Sequence, residues 1–377
     1  MKLTIDFILV TGIIVNFLIL LVLFKTKKFQ LHHKLFFAIL LILLLLLITS
    51  YGIFHDIKWL QYFAVFINGI GYLLGPLIYL YVKSLGTENK VFFKKNTKHF
   101  IPFVAYFIFI TIPILISITY KEYIFSYLVV LNDNGYIVNS IEILFELFYL
   151  IMSLRLFYRM NASLKNTFST LEYKNIKWIE VLAIGLIIFS CIQFGIITLE
   201  AINGESDLLD FFLAFSYVIF VCYLGYYGLQ QHQILVPIDS YHSSVDDSKE
   251  TPKRKYLNDT HIEALTLKIA SIFPSEKPFL DEALTLGKLA AILEISDKKL
   301  SYYFNSHLQT NFYDFVNAHR IEEFKIKLAS NAQENYSILG LAYDSGFKSK
   351  SSFNRIFKKQ TGLSPTAYLK TLSSSIK

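Results

Sequence analysis

Near the C-terminus, Ser351, Asn354, Arg355 and Lys358 are spaced so that a helix turning about 100° per residue gathers them on one side, away from Phe353 and Phe357. Hydroxyl, amide, guanidinium and ammonium groups on one face supply hydrogen-bond donors and positive charge. From Ser345 onward there are seven Lys or Arg and no Asp or Glu, a bias suited to phosphate. A second cluster is acidic: Glu142 and Glu146 stand four residues apart on one helix face, which Asn139 and Tyr149 extend. They fall inside an apolar run, where charged groups are expensive and usually face a bundle interior or water. The Asn139, Glu142 and Glu146 face is therefore a candidate signal-sensing or proton-responsive site; hydrogen bonding to a neighbouring helix is the alternative. Neither cluster is a catalytic constellation. No HExxH, P-loop or GxSxG occurs, and Cys191 and Cys222 lack the spacing of a zinc site. No enzymatic activity, no metal and no cofactor is expected.

The elements that must position these groups come in two kinds. Of the 377 residues 54% are hydrophobic, with 35 Phe and 25 Tyr, and the excess lies in runs long enough to cross a bilayer. Seven apolar segments are predicted, at about 5–24, 35–54, 59–82, 100–119, 137–158, 178–199 and 208–229. The first lacks a small-residue cleavage site and reads as a retained span. Lys and Arg alternate between the loops: Lys25, Lys27, Lys28 and Lys34, then Lys83, Lys90, Lys94, Lys95 and Lys98, then Arg155, Arg159, Lys165, Lys174 and Lys177. The intervening loops hold only Lys58 and Lys121. This asymmetry predicts an outside N-terminus and places everything after Leu229 in the cytoplasm. Trp59 and Trp178 are expected as interfacial anchors, Gly71 and Gly75 as a helix-packing surface, and Asn16, Asn68 and Gln193 as interhelical contacts.

The composition then changes. Residues 230–256 are rich in Ser, Asp, Lys and Pro and read as a flexible tether between a membrane domain (1–229) and a soluble α-helical domain (257–377). In the latter, "LTLGKLAAILEISDKKLSYYF" (284–304) and "SILGLAYDSGFKSKSSFNRIF" (337–357) repeat one pattern of helix, tight turn and helix. Leu286, Leu289 and Ala290 correspond to Ile338, Leu341 and Ala342; Leu300, Tyr303 and Phe304 correspond to Phe353, Ile356 and Phe357. The i, i+3, i+4 spacing buries one face of each second helix and leaves the other free, as in two helix-turn-helix units.

The stretch "ILGLAYDSGFKSKSSFNRIFKKQTGLSPTAYL" resembles the AraC family signature, with Ile338, Ala342, Gly346, Phe347, Ser352, Phe353, Arg355, Phe357, Lys358, Gly362, Pro365 and Tyr368 at the pattern's positions. The resemblance covers roughly residues 255–372, and "NFYDFVNAHRIEEFKIKL" (311–328) is similar to the family's connecting helix. In the membrane half, "GPLIYLYVKSL" and "KHFIPF" resemble membrane-bound AraC-type regulators of Bacteroidetes-like bacteria. The resemblance implies an all-α fold: a seven-helix transmembrane bundle followed by a cytoplasmic double helix-turn-helix domain. It implies a one-component transcriptional regulator in the bacterial cytoplasmic membrane, whose partners are double-stranded promoter DNA, membrane lipid, a signal ligand and, where domains pair, a second copy of the chain. Each second helix should enter the major groove, the two about one helical turn apart. Carried over by position, the DNA contacts are Lys298, Lys299, Ser301 and Tyr302 in the first unit, and Lys350, Ser351, Asn354 and Arg355 in the second, with Lys358 and Lys359 on phosphate. Arg355 suits guanine O6 and N7, with phosphate binding or bracing of the fold as alternatives. Two positions depart from the pattern: Glu294 and Gln309 stand where the family usually has glycine. A transporter or channel with a cytoplasmic regulatory tail is the rival expectation from another class.

Overall fold

The computed structural model describes residues 2–25, 30–67, 69–86, 92–120, 135–171, 177–203, 207–229, 257–330 and 337–375. The tether expected at 230–256 lies outside them, as do Lys27, Lys28, Lys90, Lys121, Lys174 and Asn68. Among the described residues every regular element is helical. The chain divides into two compact units, Met1–Tyr158 with Ile176–Pro237 and Arg159–Asn175 with Ile238–Lys377. The second unit thus takes in a short segment that lies, in sequence, between two apolar runs.

The first unit contains α1 (Lys2–Phe24), α2 (Leu31–Phe54), α3 (Lys58–Ile67), α4 (Gly71–Leu85), α5 (Lys94–Tyr120), most of α6 (Gly135–Thr167), α7 (Lys177–Asn203) and α8 (Asp207–Gly228). Among the described residues five of these, α1, α2, α5, α6 and α7, are long and apolar enough to cross a membrane. The third expected span is instead a bent pair: α3 and α4 meet at 56°, and they add a sixth candidate if they act as one. The turn between them holds Gly69 at φ +80°, a conformation that interrupts a helix. The seventh expected span falls on α8, a helix of 22 residues.

The unit has the polarity of a lipid-solvated bundle. Phe7, Ile14, Phe17 and Phe109 are exposed, whereas Asn16, Ser153 and Ser190 are fully buried, the reverse of a water-soluble domain. Asn16 donates from Nδ2 to the Leu40 carbonyl of α2 at 3.1 Å, the expected interhelical contact. Gly71 and Gly75 are where α4 receives α6: a Cβ on Gly71 would strike the Glu142 carboxylate, and one on Gly75 would stand 3.0 Å from the Tyr149 Cβ. Trp59 is exposed, and Trp178 is 6% exposed and stacks on Tyr227 with ring centroids 6.1 Å apart. Its large apolar ring thus packs inside the unit. Cys191 and Cys222 are free and exposed, so they line the outside of their helices and fill no core gap.

The second unit contains the end of α6 with residues Phe168–Leu171, then α9 (Asp259–Ser275), α10 (Leu286–Ile292), α11 (Asp297–Tyr302), α12 (Phe312–Ala329), α13 (Ile338–Asp344), α14 (Lys350–Thr361) and α15 (Pro365–Ser375). It has two apolar cores. One gathers Leu286, Leu289, Leu300, Tyr303 and Phe304 with Phe273 and Val316. The other gathers Leu341, Ala342, Phe353, Ile356 and Phe357 with Ile321 and Phe324. Helix α12 contributes to both, because Val316 faces the first core and Ile321 and Phe324 the second.

Candidate nucleic-acid interface

Each helix of the two repeats starts with a hydroxyl side chain that takes an orphan amide at the helix N-terminus. Thr285 accepts from Lys288 N, Ser296 from Lys299 N, Ser337 from Gly340 N and Ser349 from Ser352 N. These caps fix where each helix begins and therefore which residues fall on its outer face. In the first repeat the turn between α10 and α11 holds Glu294 at φ +57°, and α11 runs on through a wider turn at Tyr303–His307 to Gln309 at φ +50°. In the second repeat Gly346 makes the turn at φ +89°, and Gly362 ends α14 at φ +77°.

The two departures from the sequence pattern are thus both left-handed residues, where an L side chain is strained by about 1–2 kcal/mol. Gln309 is exposed, so Gln309→Gly should stabilise the second unit by about 0.5–1 kcal/mol, after allowing for glycine's greater freedom when unfolded. Glu294→Gly should gain slightly less, since it removes an exposed pair with Lys268 at 3.1 Å. Chemical denaturation of the full chain, followed by a probe in residues 257–375, would read both changes; a drop in stability for Gln309→Gly would refute the strain.

The apolar trios of the two second helices are inside, Leu300, Tyr303 and Phe304 at no more than 1% exposure and Phe353, Ile356 and Phe357 at no more than 4%, whereas Ile338 of the first-helix trios is half-buried. Burying those faces turns the remaining ones outward. Lys350, Ser351, Asn354, Arg355, Lys358 and Lys359 are exposed on α14, and Lys298 and Lys299 on α11. Ser301 and Tyr302 are half-buried, and Tyr302 packs partly on the first core. The second repeat therefore presents a full polar stripe, and the first presents two lysines beside two partly covered side chains.

Two members of the stripe are tied to the connecting helix α12. Arg355 donates from Nη2 to the hydroxyl of buried Tyr313 at 2.8 Å, and Lys359 pairs with Asp314 Oδ1 at 2.9 Å. Burial opposes ionisation of Asp314, but hydrogen bonds from Lys359 and Asn311 and the charges of Lys359 and Lys165 hold it below the usual carboxylate range. Tyr313 and Asp314 were not legible as site residues, because only the fold brings α12 against α14. What they do is hold the guanidinium of Arg355 and the ammonium of Lys359 in defined positions, lowering the side-chain entropy a ligand contact would otherwise cost.

Residues 289–371 match the helix-turn-helix domain family. The match is of the AraC type and covers both repeats from within α10 to α15. No curated protein and no solved structure matches the chain. The helix-turn-helix domain is a DNA-binding regulatory module.

The acidic cluster lies in the first unit. Glu142 and Glu146 are half-buried against α4, and Tyr149, one turn on, is 7% exposed and hydrogen-bonded through its hydroxyl to His99 Nδ1 at 2.9 Å. Asn139, one turn before Glu142 on the same helix, is exposed. Tyr72, whose ring lies 5.3 Å from that of Phe145, and Tyr106, 5.1 Å from Tyr72, complete an aromatic wall beside Glu142. Among the described residues no group of three or more His, Cys, Asp or Glu is placed to hold a metal ion.

Proposed function

We propose that the chain is a membrane-anchored, one-component transcriptional regulator that binds double-stranded promoter DNA through its two helix-turn-helix units. The observation that carries this reading is the family match at 289–371 combined with the exposed stripe Lys350, Ser351, Asn354, Arg355 and Lys358. In this reading residues 1–229 form a sensor of seven spans, with the N-terminus outside, in the cytoplasmic membrane of a bacterium. Residues 230–256 form a tether and 257–377 the cytoplasmic DNA-binding domain, in which two copies of the chain can pair. A signal met at the face of Glu142 and Glu146, with Asn139 at its margin, shifts the equilibrium between two states of the DNA-binding domain by its differential affinity for them.

The direct test is genome-wide mapping of DNA bound by the full chain in its native membrane, followed by titration of the recovered fragments against the chain in lipid nanodiscs at several salt concentrations. Discrete sites with affinity falling steeply as salt rises are expected. An absence of enriched sites would defeat the reading.

At a recovered site, Arg355→Ala should cost about 1–3 kcal/mol at one base position if the guanidinium leaves Tyr313 to take guanine O6 and N7. Competition binding with single-base variants reads this directly. A loss equal across all variants would reassign Arg355 to phosphate, and no loss at all would leave it as a brace on Tyr313.

A further inference from the structure

Helix α6 ends at Thr167, and the four residues that follow are seated on the DNA-binding domain. Phe168 forms an isolated antiparallel bridge with Thr285. Ser169, 1% exposed, uses its backbone and its side chain together: its amide donates to the Leu284 carbonyl at 3.3 Å, and its hydroxyl donates to the same carbonyl at 2.7 Å. The Ser169 hydroxyl also accepts from Arg320 Nη2 at 3.1 Å, and its carbonyl accepts from Arg320 Nη1 at 3.2 Å and from Asn317 Nδ2 at 3.1 Å. Thr170 repeats the arrangement, donating to the Glu282 carbonyl at 2.8 Å and accepting from Arg320 Nη1 at 3.3 Å. Leu171 packs on the second apolar core.

These contacts are built, since each hydroxyl fills a donor and an acceptor role at once and both recipient side chains, Asn317 and Arg320, are 1% exposed. They also reach every part of the domain that sets the spacing of its two reading helices. Thr285 is the cap of α10 in the first repeat, Asn317 and Arg320 lie on the connecting helix, and Leu171 joins the core under α14. On the chain side there is no slack: one residue separates the last helical residue of α6 from Ser169. The same helix carries Glu142 and Glu146. A flexible tether of the kind expected at 230–256 passes on no defined displacement, whereas a helix ending directly in a docked strap does.

We propose that Phe168–Leu171 is a transmission strap, through which the membrane domain sets the spacing of the two DNA-reading helices. The inference rests on the reading that those helices bind DNA. It makes the loop after α6, and not the tether, the route by which the membrane unit acts on DNA affinity, because only matching of the two helices to successive turns of the duplex lets both bind at once.

The test uses the full chain in nanodiscs of phosphatidylethanolamine and phosphatidylglycerol, with DNA selected from a random library by the unaltered chain. Thr170→Val, which removes two hydrogen bonds, should weaken binding a few-fold. Ser169→Ala combined with Thr170→Val should weaken it about tenfold and shorten the nuclease footprint to one half of the site. Hydrogen exchange should quicken at 279–285 and around 317–320 while the rest of 257–375 keeps its protection. Unchanged affinity and footprint in the double variant would overturn the proposal. Loss of protection throughout 257–375 would overturn it too, by making the strap a part of the core and not a device that sets spacing. If the unaltered chain selects no sequence, it is the DNA-binding reading that fails, and the exchange pattern still reports whether the strap is docked.

Discussion

Gly346→Ala should destabilise the helix-turn-helix domain by about 3 kcal/mol or more and abolish DNA binding at growth temperature. Two independent costs add at this position. The backbone sits at φ +89°, beyond the left-handed region that Asn or Asp tolerates, and a non-glycine residue there is strained by about 1–2 kcal/mol at the least. The added Cβ would also stand 2.5 Å from the Phe279 carbonyl oxygen, 2.9 Å from Leu280 Cα and 3.1 Å from Arg320 Nε. Two of those neighbours are backbone, and the third is a fully buried side chain already hydrogen-bonded to Phe279 O at 2.7 Å. None can withdraw cheaply, so overpacking adds about 1–3 kcal/mol. A thermal scan of the full chain, read by proteolysis within 257–375, should show a midpoint about 10 °C lower. A shift below about 3 °C would mean that the turn relaxes around the methyl group. Gly362→Ala is the control: it shares a positive φ of +77° but has no atom within 4 Å of the added Cβ, so only the conformational cost remains.

That contrast shows what could be read from the chain and what could not. The two repeats were legible because their information is local: apolar trios at i, i+3, i+4 on either side of a tight turn. Burial followed the trios, with Leu289, Leu300, Tyr303, Phe304, Phe353 and Phe357 all at 1% exposure or less. The exposed stripe followed from the same periodicity, since a helix that buries one face must present the other. Gly346 was legible as a turn but not as a contact, because Phe279 and Arg320 come to it from 67 and 26 positions away.

The apolar half was legible at a coarser level. Hydropathy finds apolar runs but not their breaks: the run 59–82 invited a local break at Pro76, yet Pro76 lies within α4 and the 56° bend between α3 and α4 falls at Gly69. Trp178 was legible as a residue at a span end, but its stacking on Tyr227 was not, because only the fold brings the two rings together. The Phe168–Leu171 strap had no signature at all: Ser-Thr-Leu after a helix is unremarkable until the carbonyls of Glu282 and Leu284 and the guanidinium of Arg320 are brought to it.

Arg320 is where that hidden part of the fold converges, and Arg320→Met should cost about 3–5 kcal/mol. The side chain is 1% exposed and spreads its donors over acceptors at 169–170, at 279–281 and on Asn317. Nε reaches the Phe279 carbonyl at 2.7 Å, Nη2 the Asp281 carbonyl at 2.8 Å and the Ser169 hydroxyl, and Nη1 the Ser169 carbonyl and the Thr170 hydroxyl. Methionine fills much of the same volume, so the loss is not chiefly a cavity. It is the removal of donors from buried carbonyls, each of which then bears a desolvation cost of about 1–3 kcal/mol unless it finds water. Arg320→Lys should recover little, because one ammonium cannot match a planar fork that serves the 279–281 turn and the strap in opposite directions. The expected signature is a lowered thermal midpoint together with fast hydrogen exchange at both 169–170 and 279–285. Fast exchange at the turn alone, with the strap still protected, would show that Asn317 and Leu171 suffice to hold it and that Arg320 serves the helix-turn-helix core only.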